Sequence, residues 1–474
     1  LNIEFNRIAF IFFVFLIISI IYSIQLLHLG SLKIQNEIKP LIKKKNYRAD
    51  IIDRNGNYLV KTVSSIDIGI NPIEVIDKKK LLINLQLIFP DKNYSDISKK
   101  LEKNKYFYLE KKIEADNYEK IMMLGDKSIK SEEKLTRIYP QKNLFSHIIG
   151  QIDDDNNGIS GIEKSFDEEL KITKDLLRLT VDADIQFLIR EELLRFKEVF
   201  RAKGSAAILM DINNGAIISM VSIPDFNLNE RKTITDVNYI NRATKGVYEF
   251  GSVFKTFTVA AGFNESLIEP NTEYLNLKKQ IECDGFKIRE YSKKTPTDLT
   301  VEEILVRSGN IGSVRIGQKI GEEKFKSFLN KIGVLETIDF DIHEVGKPTP
   351  INWGKCKLAT VSYGHGITTT LLQIAKGYSI VTNGGYDIKP TIIEKKLFKK
   401  DSQKRILNIG VSDKINKILR KIVTNEEGTA ELANIEGYEV GGKTGTAQIS
   451  KNGKYTRDKI NTFAAVFPSR KPKF

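Results

Sequence analysis

The sequence predicts an α+β protein held on one membrane-crossing helix. Three observations predict it. An apolar run without Asp, Glu, Lys or Arg lies near the start, at Ile8–Leu29 (IAFIFFVFLIISIIYSIQLLHL). Alternating apolar stretches around Asn-Gly dipeptides mark β-hairpins. Longer segments between them carry apolar residues at helical spacing.

The apolar run comes first in the chain. Its 22 positions rise about 1.5 Å each and reach across the roughly 30 Å hydrocarbon core of a bilayer. It is apolar on all faces, which argues against a core helix packed on one side. No small-x-small cleavage site follows, so it reads as an uncleaved signal anchor. No second run of this kind exists, and the expected topology is single-pass. The downstream flank is basic (Lys33, Lys39, Lys43, Lys44, Lys45, Arg48), against Arg7 alone upstream. Taken literally, the positive-inside rule keeps the large domain in the cytoplasm. The chain starts at Leu1 without methionine, so a basic cytoplasmic tail can be missing, and long domains translocate largely regardless of charge. Orientation is left to the chemistry.

Lys33–Tyr47 reads as a polar, helical tether. RADIIDRNGNYLV (Arg48–Val60) reads as strand, Asn55-Gly56 turn, strand. Positions 76–135 are rich in Lys and Glu with helical periodicity, as in a spacer. A long helix is expected over Asp184–Arg201, with Leu188, Leu193 and Leu194 among its apolar positions. KGSAAILMDINNGAIISMVS (Lys203–Ser222) is the clearest hairpin and the start of a new sheet. A domain boundary near 175–180 follows. The expected division is a stub and anchor at 1–32, a pedestal at 33–178 and a catalytic domain at 179–474. Strands alternate with long helices to the end, where EVGGKTGTAQI and INTFAAVF form a hairpin turning within Ser450–Lys454, at Asn452-Gly453. The closing PSRKPKF reads as truncation before a last strand. There are no internal repeats.

Bulk composition excludes some functions. With 41% hydrophobic and 28% charged residues the chain is globular. A net charge of +14 invites nucleic-acid binding, but the lysines are scattered, without an RNA-binding aromatic signature or finger spacing. Cys283 and Cys356 lack a second ligand at metal spacing, and His28, His147, His343 and His365 lie far apart. No metal and no cofactor are expected. The two cysteines read as buried free thiols in preference to a disulfide.

Three short motifs carry chemistry. In EFGSVFKTFTVAAGF (Glu249–Phe263), Ser252 and Lys255 stand three apart, on one face of a helix. Val253, Phe254, Phe257, Val259 and Ala260 make that helix a buried one. A lysine held in an apolar interior has a depressed pKa, can be neutral near pH 7 and can then serve as base for a serine nucleophile. Gly251 lets another backbone approach. Ser252 as a plain helix cap is the alternative. Ser-x-x-Lys recurs as SEEK (Ser131–Lys134), where flanking charges read as a solvated helix turn. Second, VRSGNIG carries Ser308, Gly309 and Asn310 after the helical TVEEILV; alone it is a turn. Third, VGGKTGTAQ carries Lys443, Thr444, Gly445 and Thr446 in a strand short of large side chains. Its glycines imply a close approach along the strand edge, and a lysine with two threonines facing that edge suits a substrate carboxylate.

Ser-x-x-Lys, Ser-x-Asn and Lys-Thr-Gly, in that order within one domain, resemble the penicillin-recognising serine acyltransferases. RADIIDRNGNYL, GISGIEKSFDEEL, AAILMDINNGAIISMVS, NRATKGVYEFGSVFKTFT and YGHGITTTLLQIA further resemble class B penicillin-binding proteins, the membrane-anchored peptidoglycan D,D-transpeptidases, and most of all their division-specific FtsI type. The likeness runs from anchor to final hairpin. It departs at Phe250, which replaces a proline before Gly-Ser, at Gly309, and at Leu371, which replaces a frequent proline. None of these removes a catalytic atom.

The resemblance implies a serine β-lactamase/D,D-peptidase-like domain, an antiparallel sheet with helices, above a β/α pedestal of the dimerisation type. It implies Ser252 as nucleophile, Lys255 as its base, Ser308 and Lys443 as proton relay to the departing D-Ala, and Asn310 on the substrate amide. Thr444, Gly445 and Thr446 would bind the terminal carboxylate, and the backbone N–H groups of Ser252 and Thr446 the oxyanion. The implied partners are D-Ala-D-Ala stem peptides, β-lactams as inhibitors, the cytoplasmic membrane, and an FtsW-type glycan polymerase with other divisome proteins. The substrate lies outside the membrane, so residues beyond about 30 are expected in the periplasm. An elongation-type transpeptidase, a β-lactamase or β-lactam sensor, and a silent division scaffold are the alternatives.

Overall fold

The computed structural model describes residues 5–31, 47–230, 237–354, 356–397, 403–451 and 454–474. It divides into two compact units, Leu1–Tyr47 and Arg48–Phe474. Among the described residues the first holds one helix, Phe5–Ser31. Within it Ala9–Leu27 is long and apolar enough to cross a membrane, and none of that stretch is buried. The tether expected over Lys33–Tyr47 falls, up to residue 46, outside the described residues.

The second unit begins with a five-stranded sheet. Tyr58–Ile70 is its long member. It pairs with Ile51–Ile52 across the Asn55-Gly56 turn, with Phe107–Glu110, and with Ile129–Ile138 through an unbroken antiparallel register from Lys61↔Ile138 to Ile70↔Ile129. The spacer segment therefore mixes strands with helices Lys78–Ile88, Tyr94–Glu102 and Ala115–Met122. Asp77 and Asn93 start the first two, each accepting a backbone N–H as N-cap. The SEEK stretch is corrected by this ladder. Ser131–Lys134 is strand, not helix, with Ser131 opposite Ile68 and Lys134 opposite Ser65.

The quoted segments RADIIDR and GISGIEKSFDEEL meet in a buried ion cluster. Arg48, 0% exposed, donates Nε to Glu163 Oε2 at 3.0 Å and Nη1 to Asp167 Oδ1 at 2.6 Å. Arg137 Nε donates to Glu163 Oε1 at 2.8 Å. The residues around this cluster do not form a core of their own. Ile51, Val60, Phe145, Ile162 and Leu179 pack in one cluster with Met210, Ile217, Met220, Leu372 and Ile392. Leu177 and Leu179 thus lie inside a core shared by both sides, with Leu177–Arg178 pairing parallel to Ile51–Ile52.

Helix Ala183–Val199 starts at Asp182, whose side chain accepts from the N–H of Asp184 and of Ile185, and packs on the hairpin Ser205–Met210/Ile217–Ile223. The largest core surrounds helix Phe254–Asn264, every residue of which is buried. Helices Asn310–Ile320, Glu322–Lys331 and Val411–Thr424 pack around it. The final hairpin, Gly441–Lys451 with Lys454–Val466, lies against the start of that helix. The Asn452-Gly453 turn falls outside the described residues.

The cysteine expectation is overturned. Cys283 and Cys356 form a disulfide, with Cα atoms 5.7 Å apart. Cys283 ends the first strand of a short hairpin, Gln280–Cys283/Phe286–Arg289, and Cys356 precedes helix Lys357–Val361. Sequence distance gave no sign of it because the helices between bring both ends back to one place.

Candidate active site

The serine sits in a 3-10 turn, Gly251–Val253, that leads directly into helix Phe254–Asn264. Ser252 precedes Lys255 by three residues across the junction of turn and helix, a spacing that puts both on one face. Glycine is required at 251 on two counts. Its φ is +59°, and a β-carbon there would stand 2.4 Å from the Thr446 carbonyl oxygen. Gly445 answers it from the strand, where a β-carbon would stand 2.3 Å from the Phe250 carbonyl oxygen. The close approach expected along the Lys-Thr-Gly edge is this one. Tyr378 pins the turn from behind, donating its hydroxyl to the Val253 carbonyl at 2.8 Å.

Lys255 is 1% exposed. Its Nζ donates to the carbonyl oxygen of Ser308, to Ser308 Oγ at 3.1 Å and to Asn310 Oδ1 at 2.7 Å. Those are the hydrogen bonds described for it; none goes to the Ser252 hydroxyl. Burial lowers Lys255 to about 7, against a smaller upward pull from Glu290. An ammonium has three donors and no acceptor. Loss of one proton leaves a lone pair able to accept a hydrogen bond.

Ser308 has φ +59°, a conformation a non-glycine residue rarely adopts and one that concentrates at functional sites. It aims Oγ between two lysines. Lys443 Nζ, on a side chain 0% exposed, donates to Ser308 Oγ at 3.0 Å and to the Thr444 carbonyl at 3.0 Å. Burial, together with the charge of Lys255, holds Lys443 well below the ordinary lysine range.

Asn310 opens helix Asn310–Ile320. Its Oδ1 takes the Lys255 bond, and its Nδ2 donates to the Arg289 carbonyl at 2.8 Å. The Lys-Thr-Gly strand alternates. Lys443, Gly445 and Ala447 are buried, while Thr444 and Thr446 lie on the more open face. Lysine and threonines therefore do not face one common side. Thr444 Oγ1 donates to Thr429 Oγ1 at 2.8 Å, and Thr446 Oγ1 to Asn461 Oδ1 at 3.2 Å.

The structure thus brings Lys255, Ser308, Asn310 and Lys443 into one hydrogen-bonded group, with Ser252 one turn away and Thr446 against Gly251. Sequence reasoning missed Glu290, Arg289, Tyr378 and Thr429. Glu290 and Arg289 are two charges among many in KIREYSKK, with no spacing to single them out. The YGHG segment is explained by packing. A β-carbon at Gly364 would meet the Gly251 carbonyl oxygen at 1.9 Å, and Gly366 N donates to Glu249 Oε2 at 3.1 Å. Leu371 occupies the first position of helix Leu371–Thr382, after the Thr370 cap, where a proline is equally at home.

Residues 205–474 match the family described as penicillin-binding protein transpeptidase domain, and residues 43–193 the penicillin-binding protein dimerisation domain. Among curated relatives, the probable peptidoglycan D,D-transpeptidase FtsI of Caulobacter vibrioides is 27% identical over 435 residues, covering 90% of this chain and 73% of that protein. Stage V sporulation protein D of Bacillus subtilis is 29% identical over 473 residues, covering 90% and 72%. Peptidoglycan D,D-transpeptidase FtsI of Escherichia coli is 25% identical over 466 residues, covering 90% and 78%.

Proposed function

This chain belongs to the penicillin-binding protein transpeptidase family, and from that premise we propose that it crosslinks peptidoglycan stem peptides as a D,D-transpeptidase through an acyl-enzyme on Ser252. The observation that carries this reading is Ser308 Oγ, held at 3.1 Å from Nζ of Lys255, the residue one helical turn after Ser252, and at 3.0 Å from Lys443 Nζ.

Ser252 Oγ attacks the carbonyl carbon of the penultimate D-Ala as its proton passes to neutral Lys255. The resulting oxyanion lies between the N–H groups of Ser252 and Thr446, where each such donor is worth about 3–4 kcal/mol. The C–N bond breaks as the departing D-Ala nitrogen takes a proton through Ser308, which Lys443 holds in line. Thr444, Gly445 and Thr446 hold the terminal carboxylate. Asn310 exchanges its Arg289 contact for the substrate amide. An amine on a neighbouring stem peptide then attacks the ester, forms the crosslink and returns the proton to Ser252.

The large domain acts outside the cytoplasmic membrane. The Cys283–Cys356 bond supports this, because disulfides persist in oxidising compartments. We keep the division into anchor (1–32), pedestal (33–178) and catalytic domain (179–474). Septal wall synthesis, beside an FtsW-type polymerase docked through the pedestal, is the role proposed; two of the relatives compared carry the FtsI name.

The test is labelling by a fluorescent penicillin. A covalent band lasting hours in the intact protein and absent in Ser252→Ala supports the transpeptidase. A band that decays within seconds replaces it with a β-lactamase, and no band from folded protein replaces it with a scaffold.

A further inference from the structure

We propose that Glu290 is a positioning residue for acylation: its carboxylate fixes the start of the helix that bears Asn310 and sets a negative charge against the Lys255 side of the site. The inference rests on the reading of Lys255 as base to Ser252.

The geometry is a helix cap supplied from another segment. Glu290 Oε2 accepts from Asn310 N at 2.8 Å and Oε1 from Ile311 N at 2.7 Å. The local cap residue, Gly309, has no side chain to do this. The first N–H groups of a helix need an acceptor, and a carboxylate there also meets the positive end of the helix dipole. The neighbouring Arg289 carbonyl accepts from Asn310 Nδ2 at 2.8 Å. Residues 289 and 290 together hold Asn310 by its backbone and side-chain nitrogens. Its other polar side-chain atom, Oδ1, takes the Lys255 bond.

Residues 289 and 290 are themselves fixed. They close the hairpin Gln280–Cys283/Phe286–Arg289, Glu290 N donates to the Lys279 carbonyl at 3.1 Å, and Cys283 is bonded to Cys356. The Arg289 guanidinium is engaged elsewhere, donating to Gln280 Oε1 at 2.7 Å. Among the described residues, the charges acting within the lysine pair are therefore Glu290, Lys255 and Lys443. Burial disfavours a charged Lys255 and Glu290 opposes it, while the charge of Lys255 in turn lowers Lys443. A base is most useful when it titrates near the working pH, and Glu290 stops burial from carrying Lys255 far below that range.

The experiment is the second-order rate of labelling by fluorescent penicillin from pH 5 to 9, for the intact protein, Glu290→Gln, Glu290→Asp, and Glu290→Gln combined with Gly309→Ser. The added serine gives the helix a neutral local cap. Space exists for it, since a β-carbon at Gly309 has Ile304 Cγ2 as nearest neighbour at 3.7 Å. Removing the negative charge lowers the midpoint of the acid limb by roughly 1 pH unit in both glutamine variants, and Glu290→Asp keeps the original midpoint. Should Glu290→Gln alone not fold, by circular dichroism, the double variant gives the reading. An unchanged midpoint, with or without a lower plateau, leaves Glu290 a structural cap and overturns the proposal. Labelling that survives Ser252→Ala would instead overturn the nucleophile assignment, whatever the midpoints do.

Discussion

Gly251 and Thr446 touch backbone to backbone: a single carbon added to Gly251 would lie 2.4 Å from the Thr446 carbonyl oxygen. One residue further on from the glycine is Ser252. The contact fixes how far the Lys-Thr-Gly strand stands from Ser252.

Gly251→Ala must push that strand away and also hold φ +59° with a β-carbon. The two N–H groups assigned to the oxyanion then lose their spacing. The penicillin acylation rate is expected to fall about 100-fold or more, as for loss of an oxyanion donor. The helix behind, fully buried, keeps its circular dichroism. Wild-type acylation kinetics in the variant would refute the oxyanion assignment.

With Lys255 as the proposed base, acylation is expected to follow its neutral form. Burial brings this lysine to about 7, so the rate is expected to drop as pH falls through that value. Stability carries the matching sign. Between about 7 and the ordinary lysine value of 10.5 the unfolded chain binds the extra proton, so stability rises with pH across that window and is flat with respect to this group below it. Labelling rates and denaturant midpoints over pH 6–10 check both. Lys443, held low by the same burial and by Lys255, reinforces the direction.

Removing the disulfide frees a long loop in the unfolded chain. For the 73-residue separation of Cys283 and Cys356, the chain-entropy estimate is about 4 kcal/mol. The double serine variant is expected to unfold at lower denaturant. Its acylation rate is also expected to fall, because the hairpin that ends at Glu290 loses an anchor. Unfolding curves and labelling measured on the same sample test the two parts separately.

Glu163 stands between two buried arginines, Arg48 and Arg137. Glu163→Ala leaves both without this partner in a dry interior, which costs about 3–5 kcal/mol. The expected result is loss of cooperative unfolding at the pedestal base. Double replacement of Glu163 and Arg137 by apolar residues is expected to recover part of the loss. Urea unfolding of the three proteins decides it.

Much of this site was readable in the sequence because its parts are local. Ser252 and Lys255 are one helical turn apart. Ser308 and Asn310 flank a single glycine, and Lys443 to Thr446 lie along one strand. Each is a short-range pattern, and only their meeting needed three dimensions. Glu290 was not readable because its role depends on a helix that starts 20 residues later. The cysteines were misread for a similar reason. Ser131–Lys134 was misread because pairing with Ile68–Ser65 overrode the helical look of a charged stretch. The facing of Thr444 and Thr446 follows strand alternation, which names the two faces but not which is covered.

Arg48 is the first residue of the large unit after Tyr47, and it is also one of the most firmly held. Its guanidinium is tied to Glu163, Asp167 and the Asn156 carbonyl, and its own carbonyl accepts from Thr62 Oγ1 and Arg137 Nη1. Mechanical load arriving along the chain from the membrane side reaches this mooring before it reaches any strand. A pull from that end is therefore met by charge pairs locked in the interior before it reaches Ile51–Ile52, which is itself paired on both sides.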